Sequence, residues 1–86
     1  MSKEVRISIL QRGWVFVGYY SREDGRCKLS KAKCIRRWGT SKGIGQLVNG
    51  PLSETVLDSA GTVEYNELTE VASICANAEK WADVLG

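Results

Sequence analysis

The stretch Trp14-Val15-Phe16-Val17-Gly18-Tyr19-Tyr20, followed by Ser21-Arg22-Glu23-Asp24-Gly25, decides the fold. Its first seven residues are almost all aromatic or β-branched, a composition that suits a pleated, half-buried surface better than a helix. They read as a buried strand. Gly18 within the run marks a bulge or a sharp bend. Residues 21–25 read as a turn, with Asp24-Gly25 as the hairpin signal. Working outward, Val5-Arg6-Ile7-Ser8-Ile9 alternates apolar and polar residues with the period of a first strand, and Gln11-Arg12-Gly13 supplies the turn between the two. Downstream, residues 26–29 and 33–38 read as two short strands. Strands so closely spaced predict a small, strongly bent, barrel-like antiparallel sheet.

Gly39 ends that series. Ser41 is positioned to cap a helical turn over 44–48, which Asn49-Gly50-Pro51 then breaks. Residues 54–58 and 62–65 resemble two further strands around a turn at Ser59-Ala60-Gly61. Residues 70–75 alternate as a strand does, while 67–78 also fits a helix; the strand is the reading taken. Asn77 is a good N-cap for a final helix over 78–85, with Trp81 and Leu85 on one face. The fold class expected is mostly β (α+β), one domain over residues 1–86 with a short C-terminal helix.

The 86 residues are 43% apolar and 26% charged, a balance that argues against disorder. A chain this short buries only about 60% of its unfolded surface, so a homo-oligomer is expected. No apolar run is long enough to span a membrane. Met1-Ser2-Lys3-Glu4 is not followed by the apolar core of a signal peptide, and the expected location is the cytoplasm. The net charge of +2 conceals an asymmetry. Residues 22–42 hold Arg22, Arg26, Lys28, Lys31, Lys33, Arg36, Arg37 and Lys42 against only Glu23 and Asp24. Residues 43–86 hold Lys80 against Glu54, Asp58, Glu64, Glu67, Glu70, Glu79 and Asp83. Either the basic middle attracts an anion, or the two halves attract each other.

Cys27, Cys34 and Cys75 make an odd count, which speaks against a disulfide framework, and the closest two have six residues between them. With no histidine in the chain, a metal site is not expected, and a cysteine nucleophile lacks its usual imidazole partner. The cysteines are expected to pack as small apolar groups. No pair of tuned carboxylates is recognisable by spacing. The chain is therefore expected not to be an enzyme and to need no cofactor.

Its clearest ligand signal is Arg36-Arg37-Trp38-Gly39-Thr40-Ser41-Lys42-Gly43-Ile44-Gly45. The candidate ligand-binding residues are Arg36, Arg37, Trp38, Gly39, Thr40, Lys42, Gly43 and Gly45. Arginine forks suit phosphate, an indole face suits a base, and glycines let backbone N–H groups approach an anion. On a strand, Arg36 and Trp38 share one face and Arg37 takes the other. The spacing matches neither a P-loop, since Gln46 stands where lysine is needed, nor a dinucleotide fingerprint, since Val48 stands at the third glycine. The competing reading is a tight connection carrying exposed basic residues. Trp14, Phe16, Tyr19 and Tyr20 form either an aromatic platform or, as is expected in so small a domain, mostly core. Glu64, Glu67 and Glu70 either receive sugar hydroxyls or, as expected, form a solvated face.

Several of these strings resemble small proteins encoded by tailed bacteriophages: Gln11 to Val15 with Gly18, Ile35 to Thr40, Lys42 to Gly45, Gly50-Pro51, and Thr55 to Asp58. By type, the chain also resembles compact oligomeric phage proteins that capture nucleotide immune signals of the host, such as cyclic ADP-ribose derivatives. That likeness implies a non-enzymatic protein that sequesters a cyclic ADP-ribose-type molecule or a cyclic dinucleotide and so blocks anti-phage defence. The alternatives are a small barrel binding single-stranded nucleic acid and a protein–protein inhibitor of a host factor.

Overall fold

The structure, a computed structural model, describes residues 4–86. The reading of Met1 to Lys3 as a leaderless start lies outside the described residues. Five strands and one helix follow in order: β1 (Val5–Leu10), β2 (Val15–Glu23), β3 (Arg26–Arg37), β4 (Val56–Asn66), β5 (Glu70–Ala76) and α1 (Ala78–Leu85), with 3-10 turns at Gln11–Gly13, Ile44–Asn49 and Glu67–Thr69. All pairings are antiparallel, in the order β4-β3-β2-β1-β5. The mostly β fold with a short C-terminal helix is the one the sequence led us to expect.

Each strand shows why its residues chose it. β1 buries Val5 and Ile7 on one face, and β2 opposes it from Val5↔Tyr19 to Ile9↔Val15. Gly18 sits at a register slip between Val17 and Tyr19. A Cβ there would lie 3.0 Å from the Ser30 carbonyl oxygen and 3.1 Å from the Ala32 Cα, so a side chain would push β3 back by a few tenths of an ångström. The hairpin turn is tighter than the five residues expected. β2 runs through Ser21 to Glu23, and only Asp24 (φ 50°) and Gly25 (φ 76°) turn. Two positive-φ residues match the twist of the flanking strands.

The two breaks expected at 30–32 and 59–61 are bulges instead. β3 is one strand of 12 residues, shifting register between Leu29 and Ala32 beside Lys31 at φ 52°. β4 is one strand of 11 residues, in which Gly61 at φ 74° opposes Ala32. Bulges bend a ladder without ending it, and the paired bulges curl the sheet. Closure is nevertheless incomplete. β4 and β5 are the two edges, joined only by the turn at Glu67–Thr69 and not by a ladder. The sheet is strongly bent but open, so the barrel expectation is corrected to a curled sheet.

The curl produces two cores. On one face Val5, Ile7, Val15, Val17 and Ile35 meet Leu47, Trp81 and Leu85. On the other, Leu10, Cys27, Leu29, Ala32 and Tyr65 pack without a covering helix. Tyr65 reaches from β4 to β1, where its hydroxyl meets Ser8 Oγ at 2.8 Å, and it donates to Glu70 Oε2 at 2.6 Å. Asn77 caps α1 as expected, its Oδ1 accepting from the Glu79 N–H at 3.1 Å. The cysteines divide: Cys27 is buried, Cys34 is half-buried and Cys75 is exposed, so the expected packing role fails for Cys75. Among the described residues no helix is long and apolar enough to cross a membrane.

Burial, and then the hydrogen bond to Glu70, push the Tyr65 hydroxyl pKa well above its ordinary value. Unfolded Tyr65 ionises near its usual value of about 10, and folded Tyr65 only at higher pH. The contribution of this group is intact below about pH 10 and falls as pH rises beyond it. Urea denaturation from about pH 8 to about pH 11 checks this. Tyr65→Phe is expected to flatten that decline and to cost about 1–3 kcal/mol at neutral pH, because buried Ser8 loses its partner. Trp81→Ala is expected to cost about 3–5 kcal/mol in the same assay, since the indole is fully buried.

Candidate functional site

The ten-residue ligand signal begins at the end of β3. Between Ile35↔Leu57 and Arg37↔Val56 the register slips, so two residues of β3 oppose one of β4. A bulge of this kind breaks the alternation of faces. The expectation that Arg36 and Trp38 share one face, with Arg37 on the other, is therefore corrected. Arg36 donates to Asp58 Oδ2 at 3.0 Å. Arg37 instead lines an open depression of about 500 Å³ with Trp38, Gly39, Thr40, Ser41 and Glu54.

The loop carrying these residues is fastened by side chains from the next segment. Thr55 Oγ1 donates to the Trp38 carbonyl at 2.7 Å and accepts from the Leu52 N–H at 2.9 Å. Gly39, at φ 65°, lies against the Glu54–Thr55 peptide, where a Cβ would come within 2.3 Å of the Glu54 carbonyl carbon. Trp38 is thereby left 42% exposed with its backbone anchored. Further along, the Ser41 and Lys42 N–H groups both donate to Gln46 Oε1 at 2.8 Å. Ser41 is not the cap of the 3-10 turn: Gly43 precedes that turn, and no side chain caps it. The Gln46 carboxamide thus occupies two of the backbone donors that a glycine-rich loop offers an anion.

Of the eight sequence candidates, the structure gathers Arg37, Trp38, Gly39 and Thr40 around the depression. It directs Arg36 to Asp58 and leaves Lys42, Gly43 and Gly45 outside the lining. Sequence reasoning missed Ser41 and Glu54 as lining residues. Ser41 stands inside the motif as one of its two hydroxyls and as a cap candidate, but not among the candidate ligand-binding residues; Glu54 arrives from the segment before β4, and no local pattern signals it.

Part of the charge asymmetry is satisfied within the chain. Arg22–Glu67, Arg26–Glu64 at 3.9 Å and Arg36–Asp58 each join the basic middle to the acidic half, so much of that attraction is internal. Among the described residues Arg37 and Lys42 form no ion pair. A second depression of about 370 Å³ is lined by Ser21, Arg22, Glu23, Asp24, Arg26, Lys28 and Glu64. It contains no aromatic ring, Arg26 in it pairs with its own Glu64 and Arg22 with Glu67, so it is the poorer candidate. The glutamates expected to form a solvated face are all partnered: Glu64 with Arg26, Glu67 with Arg22, and Glu70 with Tyr65. Burial, then Asp58, raise the pKa of Cys34, with Arg36 opposing; that thiol is held in its protonated form.

The aromatic residues divide in a way the composition did not announce. Phe16, Tyr19 and Tyr20 are partly buried against the cores, whereas Trp14 is 57% exposed. Its ring stacks on Phe16, with centroids 6.0 Å apart and planes within 6°. The core assignment is corrected for Trp14. No protein-family model, curated protein or solved structure matches the chain, so the functional reading rests on this geometry.

Gly39→Ala is expected to destabilise the protein by about 2–4 kcal/mol, through the left-handed φ and the collision with Glu54. Gly45→Ala, with open space around it, is expected to stay within about 0.5 kcal/mol of the parent. Chemical denaturation of the two variants side by side checks the contrast.

Proposed function

We propose that this chain is a non-catalytic binding protein for a nucleotide-type ligand, held at the depression between the end of β3 and Glu54. The observation that carries the reading is the pairing of Arg37, which lacks an ion-pair partner among the described residues, with the exposed indole of Trp38 on one anchored loop. Arg37 grips a phosphate through charge-assisted hydrogen bonds of about 1.5–3 kcal/mol each. Trp38 stacks on the base. The Thr40 and Ser41 hydroxyls and the Glu54 carboxylate take the sugar hydroxyls or an exocyclic amine. Glu54 thereby fills the acceptor role considered for Glu64, Glu67 and Glu70.

The depression is open, so one copy covers only one side of a ligand. A homo-oligomer in which a second copy covers the other side would complete the site. Holding a nucleotide without altering it is what sequestration of a host immune signal by a phage protein requires, and we propose that role in the cytoplasm of an infected cell.

Calorimetric titration with cyclic and linear ADP-ribose species and cyclic dinucleotides tests the reading. A saturable ligand is expected, recovered intact after denaturation, with Arg37→Ala and Trp38→Ala each weakening it at least about 10-fold while circular dichroism stays unchanged. A ligand bound equally well by both variants would place the site elsewhere, and a chemically altered ligand would make the protein an enzyme.

A further inference from the structure

Glu54 and Arg37 line one depression, yet they do not pair with each other. Other carboxylates of the chain do take cations: Glu4 takes Arg6, Asp58 takes Arg36, Glu64 takes Arg26 and Glu67 takes Arg22. Among the described residues the Glu54 side chain joins no ion pair and accepts no hydrogen bond. A depression that keeps an anion and a cation apart suits a ligand with a phosphate and, elsewhere on it, a set of hydrogen-bond donors.

Glu54 is also firmly displayed. It lies in the turn 52–55, closed by the Thr55 N–H donating to the Leu52 carbonyl at 3.1 Å and by the Leu52 N–H donating to Thr55 Oγ1 at 2.9 Å. The same Thr55 hydroxyl donates to the Trp38 carbonyl at 2.7 Å, and Gly39 packs against the Glu54–Thr55 peptide. The turn that carries the carboxylate is thus fastened to the residue that carries the indole. Their backbones are fixed relative to each other although the two segments are remote in sequence.

An ionised carboxylate only accepts hydrogen bonds, through two oxygens side by side. Nucleobases differ in what their edges donate. Guanine sets N1–H next to its N2 amine, a pair of parallel donors that matches the two oxygens. Adenine sets its N6 amine beside the N1 acceptor, and cytosine its N4 amine beside the N3 acceptor, so the second oxygen would meet a lone pair. Uracil and thymine hold a single N–H between two carbonyls. Guanine alone satisfies both oxygens. The Thr40 and Ser41 hydroxyls, which donate as well as accept, are left for the sugar.

We infer that Glu54 reads the edge of the base stacked on Trp38, and that this base is guanine. This rests on the nucleotide reading of the Trp38 depression and adds the identity of the base to it. An indole face stacks on any base, and Arg37 meets the same phosphate whichever base accompanies it. Selection therefore falls to Glu54.

The test titrates the full chain with guanosine, inosine and adenosine 5′-monophosphates, read by tryptophan fluorescence. All three carry the same sugar and phosphate, so their ratios report the base. The guanine nucleotide is expected to bind at least about 10-fold more tightly than the adenine one, the worth of a bidentate base contact. The inosine nucleotide keeps N1–H, lacks the amine and is expected to fall between. In Glu54→Gln one acceptor becomes a donor, which matches adenine's edge, and the guanine-to-adenine ratio is expected to fall to one or below. Glu54 is exposed, and circular dichroism verifies that the variant folds. Cyclic di-GMP against cyclic di-AMP gives the same ratio for a site that needs a larger ligand to hold it. A wild-type ratio near one, with the ligands bound, overturns this inference and leaves the Trp38 site standing; weaker binding of 2′-deoxyguanosine 5′-monophosphate would then assign the carboxylate to the sugar. A guanine preference that survives Glu54→Gln also overturns it. So does binding of ADP-ribose species with none of the guanine probes, which keeps the nucleotide reading. Failure of the wild-type chain to bind any of these ligands removes the nucleotide reading and this inference with it.

Discussion

The indole N–H of Trp81 donates to the Leu47 carbonyl at 2.8 Å inside the core, and much of the functional end of the molecule depends on that bond. Trp81 is fully buried, so an unpaired N–H there would be costly. The bond fixes the turn Ile44–Asn49 against α1, and the Asn77 N–H adds a second tie to the Val48 carbonyl at 2.8 Å. Gly50, at φ 104°, lets the chain pass the Lys80 carbonyl. The loop bearing Trp38 is thus held between two fixed points, the β3–β4 ladder before it and this clamp after it. A helix formed from the last residues of the sequence shapes a site drawn from the middle.

The charge pattern works by subtraction. The ion pairs between the basic middle and the acidic half are exposed, and each adds little stability. They pair three of the eight cations of residues 22–42, namely Arg22, Arg26 and Arg36. Lys28, Lys31, Lys33, Arg37 and Lys42 form no ion pair among the described residues, so positive charge remains along β3 and the loop after it.

The legible parts of the fold were those whose signals are local. The alternation in β1, the aromatic run of β2, the Asp24-Gly25 turn and the Asn77 cap all declare themselves within a few residues. The breaks assigned near Lys31 and Gly61 were illegible because a turn and a bulge use the same residue types. What keeps the strand going is its partner's ladder, which lies far away in sequence. The candidate site was half legible for the same reason. Arg37, Trp38, Gly39 and Thr40 stand together in the sequence, whereas Glu54 and the exposure of Trp14 arise only from tertiary packing. The faces assigned to Arg36 and Arg37 failed on a single extra residue, the slip after Ile35.

The pairing of β1 with β5 joins the first strand to the last, from Val5↔Ala76 to Leu10↔Glu70. Contacts this distant along a chain must meet the entropy of a large loop closure before they contribute anything, which places such a topology among the slower folders. During synthesis, at about 5–20 residues per second, β1 leaves the ribosome seconds before its outer neighbour exists. Throughout that interval its free edge is a template to which another unfinished chain can pair. The arrangement that brings β1 against β5 therefore leaves the half-synthesised chain open to edge-to-edge pairing.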